Sequence, residues 1–120
     1  DSSCAAAHEY ARRWDAAFQS VDVIALPATP VGAPLHFATT ARIGGDEVPV
    51  HGGLLSSKTR QINLAGVPAI SIPCGFDENL MPFGLQLAAP RGHEGRLLAV
   101  ARVYQSRTDW HRRRPAQAWV

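Results

Sequence analysis

Apolar residues near the start of the chain recur three or four positions apart. This spacing places them on one side of a helix, with polar residues on the other sides. We therefore predict an amphipathic helix over residues 3–20, capped by Ser2 or Ser3. The residues of the apolar side are Tyr10, Trp14, Ala17, Phe18 and Val21.

A continuous apolar run follows this helix. Residues 23–26 read Val-Ile-Ala-Leu and Pro27 ends the run, so we predict a strand over residues 22–27 that is buried on both faces. Prolines and two pairs of glycines make residues 28–55 a long irregular loop, with at most short strands such as one at residues 47–50. Loops of this length are usually functional or mobile.

A shorter helix is predicted over residues 57–65, where Ile62 and Leu64 would be buried. Glycine is the usual residue just after a helix, and proline often follows it. Gly66 and Pro68 supply this ending.

The remainder of the chain predicts a hairpin, a helix and a basic tail. Two extended runs joined by Asp-Glu-Asn indicate a hairpin over residues 69–88. Helical spacing predicts a helix over residues 94–106, and residues 107–120 form the basic tail. The apolar residues of this last helix are Leu97, Leu98, Ala101 and Tyr104.

These elements predict an α/β fold. A sheet of three apolar strands must be buried on both faces and shielded at its edge strands. Two long helices are too few to do both. The pattern fits either a small domain with one sheet face on two helices or a piece of a larger domain, incomplete on its own. The chain begins with Asp1 rather than Met, which favours a segment that was cut away or belongs to another polypeptide.

Composition and charge exclude several classes of protein. With 120 residues, 46% hydrophobic and 18% charged, the chain matches one globular unit rather than a disordered tail, a collagen-like repeat or a coiled coil. It has no apolar run of about 20 residues and no signal-peptide pattern, so we expect a cytoplasmic protein with no membrane partner. The net charge of +2 gives no field that would draw the whole molecule to nucleic acid.

The cysteines and histidines indicate neither a metal nor a cofactor. Cys4 and Cys74 are too few for a disulfide scaffold and lack zinc-site spacing, so both are expected to be reduced thiols. The five histidines are scattered along the chain and form no pair at helical spacing.

Ser56, Ser57 and Lys58 are the best candidates for a nucleophile and its base, because a lysine held neutral by burial can deprotonate a serine. Adjacent residues on a helix point about 100° apart, which works against such a pair. The alternative is that the serines simply cap the helix that follows.

Four short stretches of the sequence, called blocks below, stand out as motifs. They are residues 22–30 (DVIALPATP), 59–75 (TRQINLAGVPAISIPCG), 81–87 (MPFGLQL) and 108–112 (TDWHR). The second block resembles the conserved stretch near the carboxyl end of the amidase signature family, and the other three resemble its neighbouring strands and closing turn in the same order. The resemblance covers nearly the whole chain.

This resemblance implies the carboxyl-terminal part of the amidase-signature fold, a mixed β-sheet flanked by helices. Enzymes of the family hydrolyse or transfer carboxylic amides with a serine, a second serine in a cis peptide and a lysine. Their nucleophile lies in a Gly/Ser-rich segment upstream of these blocks, so no catalytic residue is carried over to this chain. An amide hydrolase is therefore implied whose 120 residues are inactive without the missing amino-terminal portion.

The resemblance also implies that this region walls the pocket for a small amide substrate, with contacts expected from Ser56, Ser57, Thr59 and Asn63. Relatives that use glutamine for tRNA-dependent amidation carry an aspartate seven residues before the asparagine, where this chain has Ser56. A neutral hydroxyl cannot balance a buried ammonium group. A general amidase acting on uncharged or acyl substrates is therefore favoured over a subunit of a glutamine amidotransferase, with helix capping as the alternative role of Ser56.

Other residues of the blocks are expected to set the backbone. Thr59 and Asn63 lie one helical turn apart and could fix the pocket segment through backbone hydrogen bonds. The remaining structural residues of the blocks are Gly66, Pro68, Pro73, Gly75 and Gln86.

Three classes of function stay open: part of an amide hydrolase, a non-catalytic remnant or subunit module of amidotransferase type, and a nucleic-acid contact module. The third would use the run from Arg112 to Arg114 beside Trp110. It is disfavoured, because a terminal charge run is commonly a solvated tail. A homodimer also stays open.

Overall fold

A computed structural model describes residues 2–114 of the chain. Within this range it contains three α-helices, five strands and one 3₁₀ helix. In chain order these are α1 (Ser2–Ala17), β1 (Ile24–Pro27), β2 (Thr40–Ile43), β3 (Asp46–Pro49), α2 (Ser57–Ala65), β4 (Ala69–Phe76), β5 (Pro82–Ala88), α3 (Glu94–Arg107) and the 3₁₀ helix (Trp110–Arg112). Residues 115–120 of the predicted basic tail lie outside the described residues.

The main sheet is antiparallel, with β5 in the centre and β1 and β4 on its two sides. Gln86 of β5 lies opposite Leu26 of β1 and opposite Ser71 of β4. Directly opposite residues in antiparallel strands point to the same face. These three residues therefore share one face, while Leu87 and Ile70 share the other.

Helices cover both faces of this sheet. On the face of Gln86, α1 and α2 form a cluster with the sheet, made of buried Ile62, Ala65, Val67 and Ala88 and partly buried Tyr10, Trp14, Phe18 and Leu26. On the opposite face α3 packs on β4 and β5, where the buried residues are Ile72, Leu87, Ala89, Leu97 and Ala101. A small domain with helices on only one sheet face therefore does not describe this chain.

The helix α2 spans residues 57–65 because a local signal ends it. Gly66 adopts the left-handed conformation, with φ 65° and ψ 34°, and its N–H donates to the carbonyl oxygens of Ile62 and Asn63. Ile62 and Ala65 are buried, whereas Leu64 is 54% exposed. The prediction that Leu64 is buried is wrong, because Ile62 and Leu64 point to nearly opposite sides of a helix.

The long loop contains a hairpin made by β2 and β3, where the pattern predicts one short strand at residues 47–50. Thr40 lies opposite Pro49 and Ile43 opposite Asp46. Gly44 and Gly45 form the turn with φ angles of 60° and 104°. Such hairpin turns need positive φ at both central residues, which glycine adopts without strain.

The burial of β1 differs from the prediction. The apolar run predicts a strand buried on both faces, but partly buried Ile24 and Leu26 alternate with exposed Ala25 and Pro27. The exposed pair lies on the α3 face of the sheet, where the buried residues belong to β4, β5 and α3. The described elements therefore cover β1 on one face only.

The described chain is an open body with a small core. Its radius of gyration is 16.6 Å, against roughly 13 Å for a compact domain of about this length. Large apolar side chains stay exposed on helices, strand ends and loops: Val21, Leu35, Phe37, Leu55, Leu64, Leu80, Met81, Phe83, Leu98, Val100 and Val103. Exposed apolar surface on this scale is typical of surfaces that are covered by further protein.

Candidate substrate pocket segment

The turns that lead into α2 are held by one backbone carbonyl. The oxygen of Gly53 accepts hydrogen bonds from Ser56 Oγ at 3.2 Å and from Arg60 Nη2 at 3.0 Å. Gly53 has a φ of 88°, and a Cβ at this position would lie 2.9 Å from Arg60 Nη2. The left-handed backbone favours glycine, and a Cβ would push the Arg60 guanidinium away from its hydrogen bond to the Gly53 carbonyl. The loop is thereby fixed against the first turn of α2.

Ser56 occupies the N-cap position of α2, but its side chain makes no capping hydrogen bond. Its hydroxyl donates back to Gly53, while its own carbonyl oxygen accepts from Thr59 Oγ1 at 3.0 Å and from the Arg60 N–H at 2.9 Å. The interpretation of Ser56 as a hydroxyl cap therefore does not match this structure. Ser56 Oγ keeps its acceptor lone pairs for another donor.

Three of the four residues expected to contact substrate lie on one side of α2. Ser56, Thr59 and Asn63 are exposed, and their helical spacing places them within about 60° of one another around the axis, beside the buried Ile62. Ser57 is half-buried and points to a different side of the helix. The structure therefore groups Ser56, Thr59 and Asn63 and separates Ser57 from them.

Lys58 lies on the side of α2 that packs inward. It precedes Ile62 by four positions and Ala65 by seven, and it is half-buried. Among residues 2–114, no hydrogen bond joins the Lys58 ammonium to Ser56 or Ser57. The candidate serine and lysine pair is therefore not assembled in this chain.

The residues expected to be structural lie along the β4–β5 hairpin: Pro68 just before it, Pro73 and Gly75 at a bend in β4, and Gln86 in the central strand β5. The carbonyl of Pro68 accepts from the Ala89 N–H at 3.2 Å where β4 begins. A β-bulge lies between Pro73 and Gly75, and it shifts the register of β4 against β5. Gln86 is 4% exposed, and its Nε2 has no hydrogen-bond partner within the described residues.

A groove of about 520 Å³ lies between β1, β5 and the loop after β1. Its lining is Ala25, Leu26, Pro27, Thr29, Pro30, Val31, Cys74, Phe83, Gly84 and Leu85. None of the four predicted substrate residues lines it. The apolar run of β1 is the sequence signal that points to this surface, but the strand order that forms the groove depends on distant segments of the chain.

The arginine run is partly folded onto the sheet. The Arg113 guanidinium lies 4.4 Å from the Trp110 ring centroid and 5.8 Å from that of Phe76. It hydrogen-bonds to both carboxylate oxygens of Asp109, each at 3.2 Å, and this lowers the pKa of Asp109 below the ordinary value of 3.8. Arg113 therefore stabilises the 3₁₀ helix, and Arg112 to Arg114 are all exposed, in agreement with the solvated-tail interpretation for these residues.

The structure of residues 2–114 also bears on two other kinds of site. None of the helices in this range is long and apolar enough to cross a membrane. No three histidine, cysteine, aspartate or glutamate side chains in the same range lie close enough to hold a metal ion.

Comparison with known proteins shows the family. Residues 2–98 match the family model described as Amidase. The chain therefore belongs to the amidase family, which confirms the resemblance to its carboxyl-terminal portion.

The relatives are several times longer than this chain. The A subunit of glutamyl-tRNA(Gln) amidotransferase from Microcystis aeruginosa is 42% identical over 105 residues, which are 86% of this chain and 20% of the relative. The corresponding protein of Acinetobacter baumannii is 44% identical over 102 residues, which are 85% of this chain and 19% of that relative. The chain thus spans about a fifth of the length of the curated relatives it matches.

Solved structures confirm the fold class. The 6-aminohexanoate cyclic dimer hydrolase superposes with a TM-score of 0.72 at 29% identity, over 92% of this chain and 23% of that protein. The A subunit of the Thermotoga maritima glutamyl-tRNA(Gln) amidotransferase superposes with a TM-score of 0.68 at 29% identity, over 85% of this chain and 21% of that protein. The α/β fold is therefore that of a part of the amidase-signature proteins.

Proposed function

We propose that this chain forms the carboxyl-terminal, pocket-walling part of an amide hydrolase. The observation that carries the proposal is the family match over residues 2–98, and relatives named for amidotransferase and hydrolase activities support it. The reaction joins water to a carboxylic amide and releases a carboxylic acid and ammonia or an amine. The serine, cis-serine and lysine of the mechanism come from the amino-terminal portion, so the chain alone is inactive.

The exposed side of α2 supports the role in the pocket wall. Ser56 Oγ donates to Gly53 and can still accept from the N–H of a substrate amide. Asn63, one turn beyond Thr59, offers both a donor and an acceptor. The Arg60 contact with Gly53 holds the loop and helix in one arrangement, which reduces the entropy lost when substrate is ordered.

The charges of this segment favour an uncharged or acyl substrate over one with an ammonium group. Residues 51–66 contain Lys58 and Arg60 but no aspartate or glutamate. A substrate ammonium beside Ser56 would lose its hydration without gaining a counter-charge.

A hybrid protein tests both parts of the proposal. The chain replaces the matching segment of the Microcystis aeruginosa relative, which has the upstream portion that the chain lacks. We expect the hybrid to hydrolyse a neutral aliphatic or aryl amide, and the chain alone to show no turnover. The Ser56→Asp hybrid should gain hydrolysis of glutamine, whereas the matched Ser57→Asp hybrid should not, because Ser57 points to another side of α2.

The outcomes separate the proposal from its alternatives. Turnover by the isolated chain that is lost in Lys58→Ala would place the chemistry in this chain and contradict the proposal. A folded hybrid that cleaves no amide would favour the non-catalytic remnant. The relatives are themselves amidotransferase subunits, and hydrolysis of glutamine by the hybrid with Ser56 unchanged would favour a protein of that type.

A further inference from the structure

The guanidinium of Arg60 is held in one position although no carboxylate of residues 2–114 pairs with it. Its Nη2 donates to the Gly53 carbonyl at 3.0 Å. A Cβ on Gly53 would lie 2.9 Å from Nη2 and 3.0 Å from both Cζ and Nη1, so the guanidinium packs against the bare Cα of this glycine. The ion pairs within the described range belong to other arginines: Arg12, Arg13, Arg91, Arg96 and Arg113.

This guanidinium lies on the side of α2 that carries the expected substrate contacts. Successive residues of a helix are about 100° apart, so Arg60 is about 40° from Ser56 and about 60° from Asn63 around the axis. Arg60 is exposed, as are these two residues. Ser56 Oγ also donates to the Gly53 carbonyl, at 3.2 Å. One backbone oxygen therefore holds the serine hydroxyl and the guanidinium beside each other.

The fold uses little of what this arginine offers. An arginine has five N–H donors in a planar fork that matches a carboxylate. The contact with Gly53 uses one donor, and a neutral glutamine could supply that donor as well. Residues 51–66 contain no aspartate or glutamate that would compete for the others. The positive charge and the remaining donors are therefore available to a ligand.

We propose that Arg60 binds a carboxylate carried by the substrate, so that the preferred substrates are half-amides, dicarboxylic acids in which one carboxyl group is an amide. This inference rests on the proposed function, because it assigns a role in the pocket wall of that hydrolase. A charge that repels a substrate ammonium attracts a carboxylate, and a guanidinium already held in place loses little entropy when it binds one. Hydrolysis of the half-amide releases ammonia and the dicarboxylic acid.

Pairs of amides that differ in one charge test the proposal. The enzyme is the hybrid in which this chain replaces the matching segment of the Microcystis aeruginosa relative. The substrates are succinamate, glutaramate and adipamate, each compared with the diamide of the same length, because a carboxamide has nearly the shape of a carboxylate and no charge. For at least one length we expect kcat/KM for the half-amide to exceed that for the diamide about tenfold or more.

Substitutions of Arg60 separate its charge from its contact with Gly53. Arg60→Gln should lower the ratio of half-amide to diamide about tenfold or more, while kcat/KM for the diamide changes less than about threefold. Arg60→Lys should keep part of the preference, because an ammonium retains the charge without the planar fork. Lys58→Gln is the control for net charge and should leave the ratio unchanged, because Lys58 lies about 160° from Arg60 around α2.

Two neighbouring glycines test the position of the guanidinium without removing it. A Cβ at Gly53 would displace the Arg60 guanidinium, whereas a Cβ at Gly52 meets no atom within 4 Å. The φ angles are 88° at Gly53 and 79° at Gly52, so alanine is similarly strained at both positions. We expect Gly53→Ala to lower the preference for the half-amide and Gly52→Ala to leave it unchanged.

Several results would overturn the carboxylate site. They are equal kcat/KM for half-amide and diamide at every length, a preference that survives Arg60→Gln, and equal effects of the two glycine variants. A loss in Arg60→Gln that is the same for both kinds of amide would also do so, because it would leave Arg60 as a clamp on Gly53 alone.

Titration calorimetry lets this inference and the proposed function fail separately, because it measures binding without turnover. A folded hybrid that cleaves no amide would contradict the proposed function. Tighter binding of the half-amide than of the diamide by that hybrid, lost in Arg60→Gln, would still support the carboxylate site, whereas equal binding would overturn it. Cleavage of the diamides without any preference for the half-amides would contradict this inference and leave the proposed function in place.

Discussion

The guanidinium of Arg91 donates a hydrogen bond from Nη2 to the carbonyl oxygen of Ala65 at 2.6 Å, although 26 residues separate the two in the chain. Its Nη1 lies 2.6 Å from Asp15 Oδ1. One side chain in the turn after β5 thus fastens the last turn of α2 and the end of α1. The carbonyl of Ala65 is one of the terminal helix groups that have no partner within a helix.

Replacing Arg91 should cost more stability than removing its ion pair. We expect Arg91→Gln to lower the free energy of unfolding by about 1 to 2 kcal/mol, because a charge-assisted hydrogen bond to a partly buried carbonyl is lost. Asp15→Asn should cost about 0.5 kcal/mol or less, since both partners of the ion pair are nearly half exposed. Urea unfolding of both variants and of the double variant measures the two contributions. If both single variants lose the same free energy of unfolding, the ion pair and not the hydrogen bond to Ala65 accounts for the contribution of Arg91.

Gly84 is expected to tolerate no side chain. A Cβ at this position would lie 2.8 Å from Ala28 Cβ and 2.9 Å from Ser71 Oγ, so the backbone at Ala28 would have to move and the Ser71 hydroxyl would have to rotate. We expect Gly84→Ala to lower the free energy of unfolding by about 1 to 3 kcal/mol through overpacking. Thermal unfolding followed by circular dichroism measures this.

Gly95 is the matched control for Gly84. It lies in α3, and a Cβ there meets no atom within 4 Å. Gly95→Ala should therefore raise stability by about 0.5 to 1 kcal/mol, because alanine has less conformational freedom to lose in a helix. A melting temperature that falls equally in both variants would contradict the packing argument.

Local chemistry explains which elements could be predicted from the sequence. The range of α2 follows from Gly66, whose left-handed conformation is a property of one residue and its neighbours. The grouping of Ser56, Thr59 and Asn63 likewise follows from helical spacing alone. The clamp from Arg60 to Gly53 could not be predicted, because it depends on turns in a loop with no periodic pattern.

Burial was harder to predict, because it depends on what packs against each element. The apolar run of β1 indicates cover on both faces, and the described part of the chain supplies it on one face only. Leu98 and Val103 in α3 are each 62% exposed for a similar reason. These disagreements are expected if the amino-terminal portion of the proposed hydrolase packs on these surfaces.

The contact between Asp109 and Arg113 should be lost in acid. The pKa of Asp109 is lowered in the folded chain, so its stabilising contribution is present above the unfolded pKa of about 3.8 and disappears as the pH falls through the lower folded value. We expect an NMR titration to place the pKa of the Asp109 carboxyl below 3.8, and Arg113→Gln to raise it toward the ordinary value, because Arg113 is the largest cause of the shift. Arg112→Gln is the control, because that side chain is not a partner of Asp109. An Asp109 pKa that is unchanged by Arg113→Gln would contradict the assigned cause.

Gln86 should limit the stability of the isolated chain. Its Nε2 is buried and has no partner in residues 2–114, and a buried donor without a partner costs about 1 to 3 kcal/mol. Methionine has a similar length and no donor. We therefore expect Gln86→Met to raise the free energy of unfolding by about 1 kcal/mol, measured by urea unfolding. Gln61→Met, at an exposed position of α2, is the control and should change it by less than about 0.5 kcal/mol.

The same substitution can show whether Gln86 acts inside the larger assembly. Gln86 is on the face of the sheet that also carries Leu26 of β1 and that α1 and α2 cover. If the amino-terminal portion of the proposed hydrolase rearranges this face and supplies an acceptor for Nε2, Gln86→Met should stabilise the isolated chain but lower the melting temperature of the complex. Gln86→Glu should destabilise both, because a carboxylate would be buried without a cation. Stabilisation of chain and complex by the same amount would mean that the amide has no partner in either state, and that Gln86 does not contact the amino-terminal portion.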